Sequence, residues 1–588
     1  MKHKNDIISK LFFRLLPVQV LIVAMGSINS IVDGSVAGQF IDSTTVGVVG
    51  LYFTMINVLN AVGSVILGGT AVLSGRYMGA GDLKKTNGLF SLNVFITIVV
   101  GGFITIVSLL FSSQLASFLG ASAELKPALQ TYIIYYSFGI IPQLLAQQLA
   151  SFLQLERQSV RNYIGIAAMV ITNIATDIVL VAVLKLGIMG LALATTISNT
   201  IYFVVLGQYY FTKKAQLKFN KDEILFSDLS PLIKIGLPGA MLVLCLAFRN
   251  LVINRILLLY AGNDGLSAMA AYNMVAGIFI AYCLGVGAVV RTLISVFIGE
   301  EDKESIKRLI KIVLTQGLLI TAIITAIVVL SSGLITSIFF PDSTSQVYNI
   351  TKQLVIINGL CIPMIMVCQV QTNLLQALQH QLYVNVLSVF DGFFAMVIPA
   401  ILLAPLIGVL GIWLANPIGI FATMVLTPIY CIIFWKRTPK NFEERLFLLP
   451  NFGTKNEDRL DVHIENIEDV TNTAVQVQEF CKNHNLDEKT SYYAALCLEE
   501  MAANVVDHGF HKDNKKHSVD ASVIYKEKEI ILRIKDDCIP FDPKERAAQT
   551  SSDDPLKNIG IKMVLKLADN VEYHNLLGLN ILTISLNH

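Results

Sequence analysis

NIATDIVLVAVLKLGIMGLALATTIS, which runs from Asn173 to Ser198, contains two apolar runs joined by a short connection. Extended outward, the two runs fill about 162–185 and 189–211. A helix needs about 20 apolar residues to cross the hydrocarbon core of a bilayer, and both runs reach that length. The stretch therefore predicts two consecutive membrane-spanning helices.

The same pattern continues through the chain up to about residue 435. Hydrophobic residues make up 54% of the 588 residues and charged residues only 15%, far from the averages of soluble proteins. The sequence predicts an all-α polytopic membrane region. Its twelve expected helices lie at about 11–40, 46–76, 88–112, 128–153, 162–185, 189–211, 231–260, 265–298, 308–332, 350–376, 383–405 and 409–435.

The membrane region repeats itself after about 221 residues. SIVDG at 30–34 aligns with LVINR at 251–255, MGAGD at 78–82 with IGEED at 298–302, and GLALA at 190–194 with GIWLA at 411–415. An even number of spans per repeat means that both halves enter the membrane in the same direction. We therefore expect two six-helix bundles, 1–228 and 229–437, with a transport site between them.

The basic residues predict the orientation. They cluster before the first span and after the even-numbered ones: Lys2, Lys4, Lys10, Arg14, Arg76, Lys84, Lys85, Arg157, Arg161, Lys213, Lys214, Lys218, Lys221, Lys303, Lys307, Arg308, Lys436, Arg437 and Lys440. This bias predicts a multi-pass protein of the plasma membrane with both termini in the cytoplasm. The net charge of +1 gives no bulk attraction to nucleic acid, so no nucleic-acid partner is expected.

Two kinds of site are not indicated. The eight cysteines form no CxxC pair and lie mostly in apolar runs, which predicts neither a disulfide framework nor a zinc site. The sequence contains no GxxxxGK[ST] motif, which disfavours a transport ATPase of the P-loop kind.

Ionisable groups inside a span are costly and usually functional. Asp33 lies in the first expected span, and Asn173 and Asp177 share one face of the fifth. Thr195 begins a polar stripe in the sixth. A buried carboxyl can hold a proton, and the same oxygens could bind Na⁺. Two alternatives stay open: Asp177 could be solvated at the end of its span, and Asp33 could only hydrogen-bond a broken helix.

The second half offers less clear candidates. Arg249, Arg255 and Arg291 could line a central cavity, or their side chains could extend to the interface or pair with helix ends. Asp391 is ambiguous in the same way.

The motifs SIVDGSVAGQF at 30–40, TAVLSGRYMGAGD at 70–82 and the stretch at 173–198 resemble the multidrug and toxic compound extrusion (MATE) transporters. The resemblance covers about residues 7–437 and implies cation-coupled antiport of small organic substrates, cationic ones included. It assigns ion coupling, to Na⁺ or H⁺, to Asp33, Asn173, Asp177 and Thr195. In another branch a seventh-helix Glu takes part, but LVINRILLL at 251–259 has none. The wider superfamily includes lipid-linked oligosaccharide flippases.

Past Pro450 the pattern becomes that of a soluble α+β domain at 460–588, joined by a linker at 438–459. Amphipathic segments replace the solid apolar runs. We expect helices at about 466–484, 488–508 and 557–569, and strands at about 517–525, 529–535, 570–574 and 579–586.

Three segments of this domain suggest a nucleotide site. In CLEEMAANVVDHG at 497–509, Glu500, Asn504 and His508 form a polar stripe beside an apolar one. Asn can ligate Mg²⁺ and a nearby Glu can deprotonate a nucleophile, although a solvated helix face ending at a Gly509 cap is the simpler alternative. LRIKDDCIPFDP at 532–543 places a carboxylate after a strand, and LKNIGIKMVLKLAD at 556–569 opens a helix whose amides can bind phosphate. The polar segment at 547–557 suits a mobile lid.

The order and spacing of these segments resemble the GHKL ATP-binding fold, and most closely the anti-sigma-factor serine kinases. The resemblance covers about 460–588 and implies ATP and Mg²⁺ as ligands. It makes Glu500 the catalytic base, Asn504 the Mg²⁺ ligand, Asp536 the adenine-binding carboxylate, and Gly560 and Asn558 parts of the phosphate-binding turn. Cys538 and Asn558 stand where that family usually has glycine.

We therefore expect a cation-coupled exporter with a cytoplasmic ATP-binding regulatory domain. In one alternative the membrane region is a sensor and the C-terminal domain is a serine kinase for a cytoplasmic partner of the anti-anti-sigma type. In another the protein is a lipid or oligosaccharide flippase.

Overall fold

The computed structural model describes residues 7–40, 43–119, 125–156, 158–340, 342–450, 452–455, 457–510, 517–548 and 559–588. The description leaves out the side chains of residues 25–40, 43–47, 50, 53, 54, 263, 270, 274, 548 and 576. Asn558 lies outside the described residues, and only the backbone of Asp33 lies within them.

Helices α1 to α8 form the first half of the membrane region. They are Ile7–Phe40, Ser43–Gly79, Leu83–Leu110, Ser112–Phe118, Lys126–Ser137, Ile140–Leu155, Ser159–Asp177 and Gly187–Gly207. The fifth expected span continues past α7 as a π-helical turn, Ile178–Val183. The fourth consists of α5 and α6, which are separated by Phe138 and Gly139.

Helices α9 to α17 form the second half. They are Leu229–Gly299, Lys303–Ile312, Leu318–Leu330, Ser332–Phe339, Gln346–Leu360, Ile362–Ala377, Gln381–Val389, Ala395–Ile407 and Val409–Trp435. α9 contains two spans, since its backbone departs from helical geometry at Gly262, with φ 58° and ψ −150°. Among the described residues ten segments are long and apolar enough to cross a bilayer, or eleven if α13 and α14, bent by 46°, form one span.

The repeat is visible in the loop geometry. Gly81 and Glu301 occupy equivalent positions and have φ values of 77° and 56°. Each precedes an Asp that caps the next helix: Asp82 accepts from the Lys85 amide at 2.9 Å and Asp302 from the Ser305 amide at 3.2 Å. Gly187 and Gly408, with φ values of 57° and 62°, form a second equivalent pair. The two halves therefore share positive-φ residues and Asp helix caps at equivalent positions, as well as a similar hydropathy pattern.

Residues 459–588 form the tail domain, built on a five-stranded antiparallel sheet of order β1-β2-β3-β5-β4. A short helix, α18, lies in the connection from the membrane region at Phe442–Arg445. The strands are Arg459–Ile464, Val519–Lys526, Glu529–Asp536, Asn570–Leu576 and Leu579–Asn587, and helices α19 to α22 are Ile467–Asn483, Glu488–Asn504, Pro543–Ala548 and Ile559–Leu567. Every predicted element has a counterpart, whereas β1 and α21 were not predicted.

Local sequence explains where the tail helices begin. α19 starts at a capping box in which Asn466 and Asp469 each accept from the other's backbone amide. α20 starts at Asp487, whose side chain accepts from the Thr490 amide at 3.1 Å. α20 ends as a π-helical turn, Val505–Gly509, so the helix predicted to 508 loses its regular geometry four residues earlier.

The sheet is covered on both faces. Ile530, Leu532 and Ile534 of β3 pack with the tail helices, whereas Leu579 and Ile581 of β5 join the core of the membrane region. Successive side chains of a strand point to opposite faces of the sheet. One face of the sheet therefore contributes to the core with the tail helices, and the other to the core with the membrane helices. The tail domain is therefore packed against the membrane helices, on what we call the tail side of the molecule.

Candidate functional site

The C-terminal end of α20 carries the predicted Mg²⁺ ligand, Asn504. Asn504 donates from Nδ2 to the Glu500 carbonyl oxygen at 2.6 Å, one turn earlier on the helix. Leu498 and Met501 are buried against the sheet, which leaves Glu500 and Asn504 half-buried at its edge. His508 is exposed in the π-helical turn and does not continue the predicted polar stripe.

The predicted phosphate-binding turn faces the same helix. The Glu500 carboxylate occupies the space that a Cβ atom would need at Gly560, near the start of α22. Any larger side chain at position 560 would displace that carboxylate. The fold therefore brings together Glu500 and Gly560, which lie 60 residues apart in the sequence.

Asp536 lies at the end of β3 and is 5% exposed. Its Oδ1 accepts from the Cys538 amide at 2.9 Å and from Asn580 Nδ2 at 2.7 Å. Burial raises the pKa of the Asp536 carboxyl, and both hydrogen bonds oppose that rise. A buried carboxylate held by two donors is a rigid acceptor for a ligand.

Sequence reasoning missed Asn580. Its Oδ1 accepts from Tyr573 Oη at 2.8 Å and from Asn575 Nδ2 at 2.6 Å, while its Nδ2 holds Asp536. Tyr573 Oη in turn accepts from the Phe541 amide at 2.9 Å. The only sequence signal is a polar residue in a strand of apolar ones, and its partner is 44 positions away.

Cys538, which stands where the resembling family has glycine, is 2% exposed. Its Sγ lies 2.9 Å from the position that a Cβ would take at Gly509. Neither residue has a positive φ, so Gly509 is not the expected left-handed helix cap. Gly509 instead provides room for the Cys538 thiol behind Asp536.

A cluster beside this turn was also not predicted. One ligand atom each of His517, Asp537 and Cys538 lies within 4.8 Å of the others, a grouping that could hold a metal ion. His517 Nδ1 lies 3.0 Å from Asp537 Oδ1, and Lys10 Nζ of α1 lies 3.3 Å from Asp537 Oδ2. The Lys10 ammonium therefore already provides a cation for this carboxylate.

In the membrane region, Asn173 and Asp177 lie one turn apart at the end of α7 and are 1% and 0% exposed. Asp177 is therefore not solvated at the end of its span, contrary to one alternative. The Asn173 amide forms no hydrogen bond to any described residue. An unpaired buried amide is costly and suggests a ligand.

Thr195 is 6% exposed on α8, and its Oγ1 donates to the Leu191 carbonyl at 3.2 Å. α7 packs against both α8 and α1, the helix that carries Asp33. The backbone thus places all four predicted coupling residues on three contacting helices. The position of the Asp33 side chain lies outside the described residues.

The second half has a different set of groups. Asp391 Oδ1 accepts from Thr423 Oγ1 at 3.1 Å, and the Arg249 guanidinium is close enough to Asp391 to interact with it electrostatically. Arg291 donates to Gln376 Oε1 at 3.2 Å, and Arg255 is exposed on its helix. Of the three arginines, Arg249 and Arg291 thus face polar partners inside the protein.

Comparison with known proteins agrees with this architecture. Family models match MatE at residues 20–179 and 238–402, together more than half of the chain, and a histidine kinase-like ATPase domain at residues 465–586. The multidrug export protein MepA of Staphylococcus haemolyticus (strain JCSC1435) is 25% identical over 350 residues, covering 57% of this chain and 76% of that protein. MepA of Staphylococcus aureus (strain bovine RF122 / ET3-1) is 26% identical over 287 residues, covering 46% of this chain and 60% of that protein.

Solved structures share the fold of the membrane region. An outward-facing multidrug resistance MATE family transporter of the MOP superfamily superposes with a TM-score of 0.67 at 17% identity, covering 71% of this chain and 94% of that one. A MOP superfamily transporter from Pyrococcus furiosus gives the same values. The chain therefore belongs to the MatE family of membrane transporters and carries a histidine kinase-like ATPase domain at its C-terminal end.

Proposed function

We propose that this protein is a cation-coupled antiporter that exports small organic compounds across the plasma membrane and is regulated by ATP binding to its tail domain. The observation that carries the proposal is the buried pair Asn173 and Asp177 in a membrane helix. The MepA relatives, named as multidrug export proteins, support the export of organic compounds.

The cation would bind among Asp33, Asn173, Asp177 and Thr195. These residues offer carboxylate, amide and hydroxyl oxygens, which suit Na⁺, and a carboxyl can instead take H⁺. The Asn173 side-chain amide, which forms no hydrogen bond to a described residue, supports a ligand at this place. Binding of the cation would stabilise one state of the transporter and so drive exchange with the substrate.

Orientation supports the regulatory role. The bias of Lys and Arg toward one set of loops supports a cytoplasmic tail side, where ATP would be present. The tail domain would bind adenine through Asp536 and the phosphates near Gly560 and Asn558. Because the Asn504 amide nitrogen donates to Glu500, its amide oxygen is the atom that would hold Mg²⁺.

Transport in proteoliposomes under imposed Na⁺ or pH gradients, with a fluorescent cationic dye, tests the coupling. Asp177→Asn should lower gradient-driven transport by at least about tenfold, because the amide cannot take a proton or balance Na⁺. Asp342→Asn, at an exposed carboxylate in the loop after α12, is the control and should retain transport within about twofold. Unchanged gradient dependence in Asp177→Asn would refute coupling at this site. Dye transport that needs no gradient, or no dye transport at all, would favour a lipid or oligosaccharide flippase.

Nucleotide binding is tested separately with fluorescent ATP and the full-length protein. Gly560→Ala should weaken binding at least about tenfold, because its methyl group displaces the Glu500 carboxylate. Gly102→Ala is the control, since an added methyl there meets nothing within 4 Å. Equal affinity of both variants would contradict a nucleotide site at Gly560.

The position of Glu500 against Gly560 also favours a second candidate function, a serine kinase. Glu500 would accept the proton of a serine hydroxyl on a cytoplasmic partner while the γ-phosphoryl group moves to that oxygen and ADP leaves. Incubation of the full-length protein with labelled Mg-ATP and cell extract should then label a protein in wild type and not in Glu500→Gln. If the protein binds ATP but no Glu500-dependent labelled protein appears, the serine-kinase function is refuted. Regulation of transport by ATP binding then remains.

A further inference from the structure

The two halves of the transporter meet closely on the tail side. At Gly79 of α2 a Cβ atom would collide with the Val296 carbonyl and lie 3.0 Å from Gly299 Cα, and at Gly299 one would collide with the Arg76 carbonyl. Only glycine lets the two backbones approach this far. Parting of the halves on this side must therefore break these contacts.

The opposite side differs. Among the side chains that the structure describes, buried apolar residues there form one cluster within each half: Val48, Tyr52 and Leu59 belong to the first, and Ile253 and Leu257 to the second. On the tail side a single core contains residues of both halves and of the tail domain. The structure is thus closed on the tail side.

The tail domain holds the second half through a buried ion-pair cluster. Lys535 Nζ lies 2.6 Å from Glu300 Oε2 and 2.9 Å from Asp302 Oδ2, and Arg459 lies 3.0 Å from Asp302 Oδ1. The Arg533 guanidinium donates to the Glu300 carbonyl at 3.0 Å. These bases neutralise the loop that follows α9.

The tail domain holds the first half through the tip of the β4–β5 hairpin. Leu577 is 2% exposed, and its amide donates to the Leu155 carbonyl at the end of α6 at 3.1 Å. It has a φ of 54°, which is unusual for a bulky residue and is maintained here by burial among membrane helices. A leucine-rich turn of this kind would expose apolar surface on an isolated soluble domain.

The tail domain also contacts two loops that the repeat relates. Glu301 and Asp302 in the second half are equivalent to Gly81 and Asp82 in the first. A Cβ at Gly81 would lie 2.8 Å from His574 Nε2 of the tail domain, while Asp302 pairs with Lys535. The tail domain therefore bridges equivalent loops of both halves, next to the place where the halves touch.

The proposed adenine ligand is flanked in the chain by residues that contact the two halves. Lys535, Asp536 and Asp537 are consecutive: the first binds Glu300 of the second half, the second is the proposed adenine ligand, and the third pairs with Lys10 of the first half. A ligand at Asp536 would thus act on the residues that contact both halves.

The geometry points to the tail domain as a clamp that holds the transporter closed on the tail side. Opening toward the tail side requires release of at least one half, and binding events at Asp536 are energetically linked to that release. This inference rests on the proposed transport function, whose regulation it specifies. In this role the tail domain acts directly on the membrane region through the surface that contacts it, and no separate partner protein is needed.

The test measures how fast a thiol at the closed interface reacts from the tail side. Ser295 is fully buried and packs against Gly75 of the other half, so Ser295→Cys in a background without the eight native cysteines reports parting of the halves. Labelling uses a membrane-impermeant maleimide on full-length protein in vesicles of both orientations, without nucleotide. Label at the tail side should be slow in wild type.

Release of either half should speed the labelling. Lys535→Ala weakens the attachment to the second half, and Leu577→Asp weakens that to the first; each should raise the rate at least about tenfold, since a clamp needs both attachments. Lys10→Gln, at a half-exposed ion pair, gives a milder test of the first-half attachment that leaves the core intact. Lys566→Ala, an exposed lysine of the same domain, should stay within about twofold.

An unchanged rate in all three attachment variants would overturn the clamp, and so would an increase in only one half's variants, which would make the tail domain an anchor. The labelling is measured without nucleotide, so its result can be interpreted even if the protein proves not to bind ATP. Loss of dye transport in wild type, by contrast, would refute the proposed function while leaving the labelling rates to be judged separately.

Discussion

The two halves of the membrane region have the same backbone plan and different chemistry. Both place a left-handed residue before a capping Asp at equivalent loops, and both start a later helix at a left-handed glycine. Yet the first half buries Asn173 and Asp177 in its helices, whereas the second pairs Asp391 with Thr423 near Arg249. The difference teaches that the two halves can share backbone conformations at equivalent positions while burying different polar side chains.

The largest expected effect is a loss of stability when Asp302 is replaced, compared with replacement of its repeat equivalent, Asp82. Both cap a helix, but Asp302 also neutralises Lys535 and Arg459 in a buried cluster, whereas Asp82 is partly exposed beside Lys85. Asp302→Ala should cost about 3–5 kcal/mol, because it removes the buried carboxylate that Lys535 and Arg459 share and leaves Lys535 paired with Glu300 alone. Asp82→Ala should cost about 1 kcal/mol, the usual value of a lost cap.

Thermal unfolding of the purified protein in detergent, with both variants side by side, measures this difference. Equal losses of stability would show that the buried cluster contributes nothing beyond the helix cap, and the asymmetry between the loops would disappear.

The next prediction concerns the shared backbone. Gly187→Ala and Gly408→Ala should each cost about 1–3 kcal/mol, because both positions have a positive φ. Neither added methyl would meet an atom within 4 Å, so backbone strain alone is measured. The losses should match within about 0.5 kcal/mol if the repeat is conserved in energy as well as in geometry. Melting curves of the two variants, measured side by side, test this. A large difference between the two losses of stability would show that the halves share backbone geometry but not its energetic cost.

The smallest effect concerns pH and arises where the tail domain meets the second half. A cavity of about 510 Å³ there is lined by Asp302, Arg459 and His463, among others. The hydrogen bond to Asp520 raises the pKa of His463, with Glu465 contributing and burial opposing. A raised histidine pKa adds stability below its unfolded value of about 6.5, which is lost as pH rises through the folded value.

Stability should therefore fall by less than about 1 kcal/mol as pH rises from about 6 to 8, and His463→Gln should remove the change. Asp302 gives no such dependence, because Lys535 and Arg459 outweigh burial and hold its pKa well below the ordinary range. Its contribution is present above about 3.9 and is lost only in acid. A pH profile that persists in His463→Gln would locate the titrating group elsewhere.

Much of the membrane fold was predictable because its signals are local. A span is defined by its own run of apolar residues, and the repeat is visible as similar short strings such as MGAGD and IGEED. In the tail domain, the amphipathic pattern predicted the starts of the helices near 467 and 488 to within a residue. The strand at Arg459–Ile464 was missed although RLDVHI alternates polar and apolar residues along its whole length, and its pairing with β2 completes the sheet.

Parts of the proposed nucleotide site were not predictable. Asn580 supports Asp536 through a contact between strands, and Cys538 fits only because residue 509 is glycine. Such complementarity depends on which atoms the fold brings together, and spacing along the chain does not encode it.

The sequence by itself determined that the chain crosses the membrane many times in two similar halves and ends in a nucleotide-type domain, because helix length, hydropathy and capping act over a few residues. Only the tertiary structure decided that the tail domain is docked across both halves. That docking depends on residues more than two hundred positions apart, such as Asp302 with Lys535 and Leu155 with Leu577. Their charges and apolar surfaces become complementary only once both parts have folded.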